Sequence, residues 1–448
     1  MESYHIYYYL STIFAFVLPC TIILRTKKWG TALFFFPIFY FIYSFMGPLP
    51  LIHGPAFDNI SKSYFVWSKI LFLTDSQEIY VAHTYFLLFY FLWFFGFFYV
   101  WRFRYRGPVN VLDFNYSKLS WLILLYLPLM LFVICVYIVQ SSVGIFRIGA
   151  IYGSGVELIT QRYGAVFKAL VSLLGSSIIC FSAIFFIYSK RNKRIINRYT
   201  LVFLAYFFGY IIFSFVTGDT SQLFVLLIGV FLLWGLLYNR TFISFKLIFY
   251  FIFCAFIFVI IRALRGLAGG SFSPSPEFFI KLLTTPFFSV ESFAAYASLP
   301  VLIIEKSPLI WGGSFIALFL SFFPRFILSW RPNTGFVYPR YVEILGIANV
   351  AQGFTFHHVA DWYWNFSWLG VIVGGFLIGY LMAKVERKAF TSNNIFWAIA
   401  FSSLMGHIPV SLRAPIEGIK AIFYEYWFLP FMVFIVLPFF TGRVRIKR

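Results

Sequence analysis

The sequence predicts an all-α, polytopic integral membrane protein with about eleven transmembrane helices. Three observations carry that prediction. Of the 448 residues, 61% are hydrophobic and only 11% charged, more apolar surface than a soluble chain of this length could hide. The apolar residues fall into segments near the roughly twenty residues that cross a bilayer core. The charges then divide unequally between the two sides that such a threading creates.

Taken in order, the spans are read at 4–24, 30–46, 82–101, 120–140, 168–189, 199–216, 222–238, 245–264, 366–384, 395–411 and 422–441. The opening "MESYHIYYYL" has no Lys or Arg before the first span, so it lacks the basic region of a secretory signal. Arg25, Lys27 and Lys28 follow that span, which places the N-terminus outside and the C-terminus in the cytoplasm. On this threading 21 of the 35 basic residues are cytoplasmic, against only Asp113 and Glu386 among the 15 acids. The formal charge of +20 therefore separates as +19 inside and +1 outside. Orientation in a membrane explains the basic total without nucleic acid. Cys20, Cys135, Cys180 and Cys254 all lie in apolar stretches without metal-ligand spacing, and read as small core residues.

Three outer segments exceed turn length: 47–81, 141–167 and 266–365. The last is a large extracytoplasmic loop, and a loop this long in a compact bundle is usually functional. Within it, 307–326 is apolar enough to span. Counting it as a span would send the basic end "GRVRIKR" outside, so it is read as an in-plane helix stopped by Pro324. Residues 276–288 are read as a shorter helix of the same kind. No repeat or soluble domain stands out, and 1–448 reads as a single integral membrane domain.

Candidate chemistry gathers on this outer face. Arg147, Arg262, Arg265, Arg325, Arg331, Arg340 and Arg413 offer always-charged, bidentate donors suited to a lipid phosphate or pyrophosphate. Each alternatively snorkels to headgroups or pairs with a nearby acid. His357, His358 and Asp361 precede the ninth span; in a helix, Asp361 lies three or four positions from each histidine. A carboxylate orienting an imidazole would make a general base for a sugar hydroxyl, and the alternative is an interfacial cap beside Trp362, Tyr363, Trp364 and Trp368. Glu343, near Arg340, is the rival base. There is no Walker A loop, HExxH or DxD pair, so neither a metal nor another cofactor is expected. Acids in mid-span are nearly absent, which argues against an ion-coupled transporter.

Five short strings, in order and spacing, resemble the O-antigen repeat-unit polymerases of the Wzy-dependent pathway, including the enterobacterial common antigen polymerases. They are "SVGIFRIGAIYGSG" (142–155), "FVTGDTSQLFVLL" (215–227), "FFPRFILSWRPNTG" (322–335), "WYWNFSWLGVIVGGFLIGYLM" (362–382) and "SLRAP" (411–415). One departure is Asp219-Thr220-Ser221, where the family often carries Arg. The resemblance implies a metal-independent, membrane-embedded glycosyltransferase of GT-C type on the outer face of a bacterial inner membrane. It implies a substrate of oligosaccharide repeat units linked to undecaprenyl pyrophosphate, with membrane lipids and a chain-length regulator as partners. In this scheme Arg147, Arg265, Arg331 and Arg413 hold the pyrophosphate, and His358 or Asp361 lies near the acceptor. Two other readings are weighed. One is an O-antigen ligase with similar fold and donor but lipid A core as acceptor. The other, from another class, is a lipid-linked oligosaccharide flippase, whose paired halves and charged cavity residues within spans the sequence does not show. A membrane O-acyltransferase is disfavoured, because His407, read as the only intramembrane histidine, lacks a partner motif.

Overall fold

The structure is a computed structural model, and it describes residues 2–26, 30–47, 77–101, 177–190, 201, 204–211, 220–238, 290–323, 327–328, 330, 336–346, 355–392 and 394–436. The described elements are all helical. They are α1 (Glu2–Thr26), α2 (Ala32–Tyr40, continued by a π-helical turn Phe41–Phe45), α3 (Glu78–Trp101), α4 (Ser177–Lys190), α5 (204–211) and α6 (Thr220–Leu237). They continue with α7 (Val290–Ile304), α8 (Gly313–Ser321), α9 (Val337–Ile344), α10 (His358–Thr391), α11 (Ile395–Leu412), a 3-10 turn Ile416–Ile419 and α12 (Ile422–Val436). Among the described residues, four helices are long and apolar enough to cross a membrane: α1, α3, α10 and α11. The expected spans at 120–140 and 245–264 and the expected in-plane helix at 276–288 lie outside the described residues.

The chain forms two compact units from interleaved segments. The first takes Met1–Arg104, Thr284–Lys384 and Ile408–Lys420; the second takes Tyr105–Leu283, Val385–His407 and Ala421–Arg448.

The first unit uses the high aromatic content as its core. Trp93 stacks on Phe36 at 4.2 Å, and Tyr40 stacks on Tyr90 at 5.1 Å. The two tyrosine hydroxyls reach backbone carbonyls: Tyr40 donates to Phe86 O at 2.7 Å and Tyr90 to Ala15 O at 3.0 Å, so neither of these tips is stranded. The tight α3–α10 contact depends on glycine. A Cβ at Gly96 would come within 2.1 Å of Phe376 O, one at Gly375 within 2.6 Å of Phe89 O, and one at Gly379 within 2.0 Å of Trp93 O. Small residues spaced in this way let two helices meet backbone to backbone, which suits an apolar solvent that supplies little hydrophobic drive. Ile6, Leu10, Ile13, Phe14 and Val17 of α1 remain exposed, the face such a helix turns to lipid.

Part of the segment read as an outer loop is core. Helix α7 buries Ala295, Tyr296, Ser298 and Leu299 completely, and Tyr296 donates to Ile79 O in α3 at 3.3 Å. Helix α8 within 307–326 has nine residues, about 13.5 Å at the α-helical rise, too short to cross a bilayer. It ends before Pro324, with Ile316 and Phe319 exposed. His83 is also buried in α3, beside Ser11, so His407 is not the only histidine within a span.

In the second unit, α6 and α11 pack where Gly406 brings its backbone against Val225 O. Trp427 donates to Ala400 O and Ser403 Oγ at 3.2 and 3.1 Å, which fixes α12 on α11. Lys190 caps the end of α6 by donating to Leu237 O at 2.7 Å, a cation at a helix C-terminus.

Candidate active site

The polar assembly of the first unit is built on the head of α10. Two residues inside that helix are not helical, Phe366 (φ −140°, ψ 21°) and Ser367 (φ 55°, ψ −147°). The head therefore bends away from the long helix that follows. Two glycines accommodate the bend: a Cβ at Gly370 would lie 2.0 Å from Trp362 O, and one at Gly374 would lie 2.4 Å from the Trp362 ring. Trp362 thus packs directly on the glycine face of its own helix.

The bent head grips the segment that follows α11. Phe356 N–H donates to Arg413 O at 3.1 Å. The Asp361 carboxylate accepts from Ile416 N–H at 2.6 Å through Oδ2, and from Asn365 Nδ2 at 2.9 Å through Oδ1. His358 interacts with the Ala414 backbone. Asn365 also donates to Ser314 Oγ at 2.7 Å, which ties in α8. Three residues of the string "RAPI" are held by Phe356 and the first turn of α10, and partly buried Arg413 is carried on that clamp.

This arrangement differs from the expected His358–Asp361 pair. Both carboxylate oxygens accept from other donors, and Asp361 is fully buried. The Nε2 of His358 accepts from the Trp362 indole N–H at 3.1 Å, which leaves its Nδ1 side to the Ala414 backbone. A neutral ring that accepts at Nε2 carries its proton on Nδ1, so this imidazole is placed as a donor, not as a base. His357 is structural in its surroundings. Its backbone N–H donates to Ser298 Oγ at 2.9 Å, and its Nδ1 accepts from Val359 N–H at 3.1 Å. The proton then sits on Nε2, which donates to Ser44 Oγ at 3.0 Å. Burial, and secondarily His358, holds this imidazole well below the usual histidine range and keeps it neutral.

Beside the clamp lies an open cavity of about 570 Å³, walled by Pro308–Ile310, Phe336, Arg340, Glu343, Ile344 and Trp364. Trp364 fixes the first wall twice: its indole donates to Pro308 O at 2.9 Å, and its carbonyl accepts from Ile310 N–H at 3.0 Å. Helix α9 supplies the opposite wall. Its Tyr341 packs edge-on against Phe356 at 4.9 Å, and Phe356 contacts Trp364 at 5.8 Å. Phe356 is therefore the hub that joins cavity and clamp. Arg340 and Glu343 are exposed on α9. Arg340 lies 3.6 Å over the Phe336 ring and donates to Phe336 O at 3.1 Å.

Of the predicted site residues, the structure brings His358, Asp361 and Arg413 into the clamp and Arg340 and Glu343 into the cavity. Arg147, Arg262, Arg265, Arg325 and Arg331 lie outside the described residues. Asn365, Ser314 and Phe356 have no role in the sequence reading, and Trp364 has only that of an interfacial belt residue, because nothing in their local sequence marks the partners they reach. Among the described residues, no group of three or more His, Cys, Asp or Glu could hold a metal.

Fold and site together define a multi-pass helical membrane protein with a polar, arginine-bearing assembly at the head of one span. Residues 346–444 match the family model described as O-antigen polysaccharide polymerase Wzy, the same family that the five sequence strings resemble. The matched segment holds both halves of the clamp. No curated protein and no solved structure matches the chain.

Proposed function

We propose that this protein polymerises oligosaccharide repeat units linked to undecaprenyl pyrophosphate, at the outer face of the bacterial inner membrane. The observation that carries the reading is the clamp, because it lies inside the segment matched by the polymerase family and presents Arg413 on a fixed loop. The growing glycan is the donor, and a hydroxyl of the newly delivered lipid-linked unit is the acceptor. The acceptor oxygen bonds to the anomeric carbon as the bond from that carbon to the pyrophosphate oxygen breaks. Undecaprenyl pyrophosphate leaves with the electron pair. Arginine answers the charge that builds on it, with Arg413 joined by Arg147, Arg265 and Arg331.

The acceptor proton needs a base. Asp361 is committed to two donors and His358 to the Trp362 indole and the Ala414 backbone, so we assign the base to Glu343, the exposed carboxylate at the cavity. The GT-C-type organisation in a single integral domain, the eleven spans, metal independence, the N-out and C-in orientation and a chain-length regulator as partner belong to the same proposal. The charge separation of +19 against +1 supports the orientation.

Deleting the gene and running the surface polysaccharide on a gel tests this reading. A polymerase predicts collapse of the ladder to core bearing a single repeat. Complete loss of repeats from the core would make the protein a ligase, and an unchanged ladder would refute both.

A further inference from the structure

We propose that the cavity between α9 and the Pro308–Ile310 segment is a binding site for a neutral pyranose ring, the sugar end of the acceptor glycan. The choice of acceptor rests on the polymerase reading; the site itself rests on its chemistry. Arg340 and Glu343 stand one turn apart on the same exposed helix, the spacing at which opposite charges readily pair. Among the described residues they make no ion pair. The guanidinium is held instead by the carbonyl and ring of Phe336. A fixed donor and an uncommitted carboxylate acceptor are thus left facing one space.

The surrounding walls are pre-organised. Trp364 hydrogen-bonds to both ends of the Pro308–Ile310 wall, and Phe336 is seated against Gly313, where a Cβ would come within 2.6 Å of the ring. Leu309, Ile310 and Ile344 add apolar surface beside the two charges. Apolar walls with a few convergent polar groups, in a volume of about 570 Å³, are the make-up of a small-ligand site. A ring with hydroxyls on its edge and C–H bonds on its faces matches each part. Pyrophosphate does not, because Glu343 would repel it across the same space. This separates Arg340 from the arginines assigned to the leaving group.

The test is ligand-observed saturation-transfer NMR on the purified full chain. The probe is the single-repeat oligosaccharide released by mild acid from its lipid pyrophosphate carrier. Expected results are transfer to the ring protons, loss of transfer in Ile310→Trp, which fills the cavity, and affinity on the order of tenfold weaker in Glu343→Gln. Inorganic pyrophosphate should not displace the sugar. Unchanged binding in Glu343→Gln, whose exposed position leaves folding intact, would overturn the proposal even if Ile310→Trp failed to fold. Displacement by pyrophosphate would make this a phosphate site and overturn it equally. The two readings fail separately. Sugar binding with an unchanged deletion ladder removes the polymerase and keeps the site; a collapsed ladder without sugar binding does the reverse.

Discussion

Replacing Asp361 by alanine should release the loop that carries Arg413 without touching the loop itself. The effect can be worked from the contacts. Asn365 keeps two acceptors after the change, Ser314 Oγ and the Asp361 backbone carbonyl, both at 2.7 Å. Ile416 is 1% exposed, and its N–H loses the acceptor it holds at 2.6 Å. One buried donor is therefore orphaned, at a cost of about 2 kcal/mol. That is small beside total stability of roughly 5–15 kcal/mol, so the protein should still fold. Spent on loop ordering, it lowers the clamped fraction, and activity with it, by up to about thirtyfold. Asp361→Asn retains an oxygen for Ile416 and should lose much less. Two assays read the outcome: polymerisation, and limited tryptic cleavage at the Arg413–Ala414 bond in detergent-purified protein. Alanine should speed cleavage and slow polymerisation together. An inactive Asp361→Asn with wild-type protection at Arg413 would refute the positioning argument and return Asp361 to the chemistry.

Other substitutions separate the remaining roles. Glu343→Gln should lower polymerisation roughly a hundred- to ten-thousand-fold at unchanged protein level, the usual contribution of a general base, read as loss of the long-chain ladder. Arg413→Lys should remain a poor polymerase, because a point charge cannot reproduce the bidentate grip, and full-length glycan from this variant would remove the phosphate role. Gly370→Ala should destabilise the purified protein by about 1–3 kcal/mol, seen as a lower melting temperature, because its Cβ would press on the Trp362 carbonyl at 2.0 Å. Gly229→Ala is the contrast: its Cβ meets atoms no nearer than 3.6 Å, so helix propensity should leave stability equal or higher by up to about 1 kcal/mol.

What could be read from the sequence follows from how local each signal is. The spans at 4–24, 82–101 and 395–411 fall within the helices Glu2–Thr26, Glu78–Trp101 and Ile395–Leu412, since a long apolar run states its own answer. Helix α7 did not, because its fifteen residues are fewer than a span needs and its burial comes from α3 and the Phe41–Phe45 turn. The glycines at 370, 374, 375 and 379 stand in plain view within the span read at 366–384. That two of them would receive Trp362 and two the α3 backbone depends on a bend at Phe366–Ser367, where no proline or glycine announces it. At the site, helical spacing correctly placed Asp361 one turn from His358. It could not show that the carboxylate turns to Ile416, 55 positions away, because a charged acceptor is claimed by whichever buried donor the fold delivers. The cluster was legible; its wiring was not.

The central claim is that this chain joins lipid-linked repeat units without any further donor. Purified protein in liposomes, supplied only with undecaprenyl-pyrophosphate-linked single repeats, should form glycans in whole multiples of the repeat. One undecaprenyl pyrophosphate should be released per bond made, and the Glu343→Gln protein should be silent under the same conditions. Absence of product from the wild-type protein, or product only when lipid A core is added as acceptor, would contradict it.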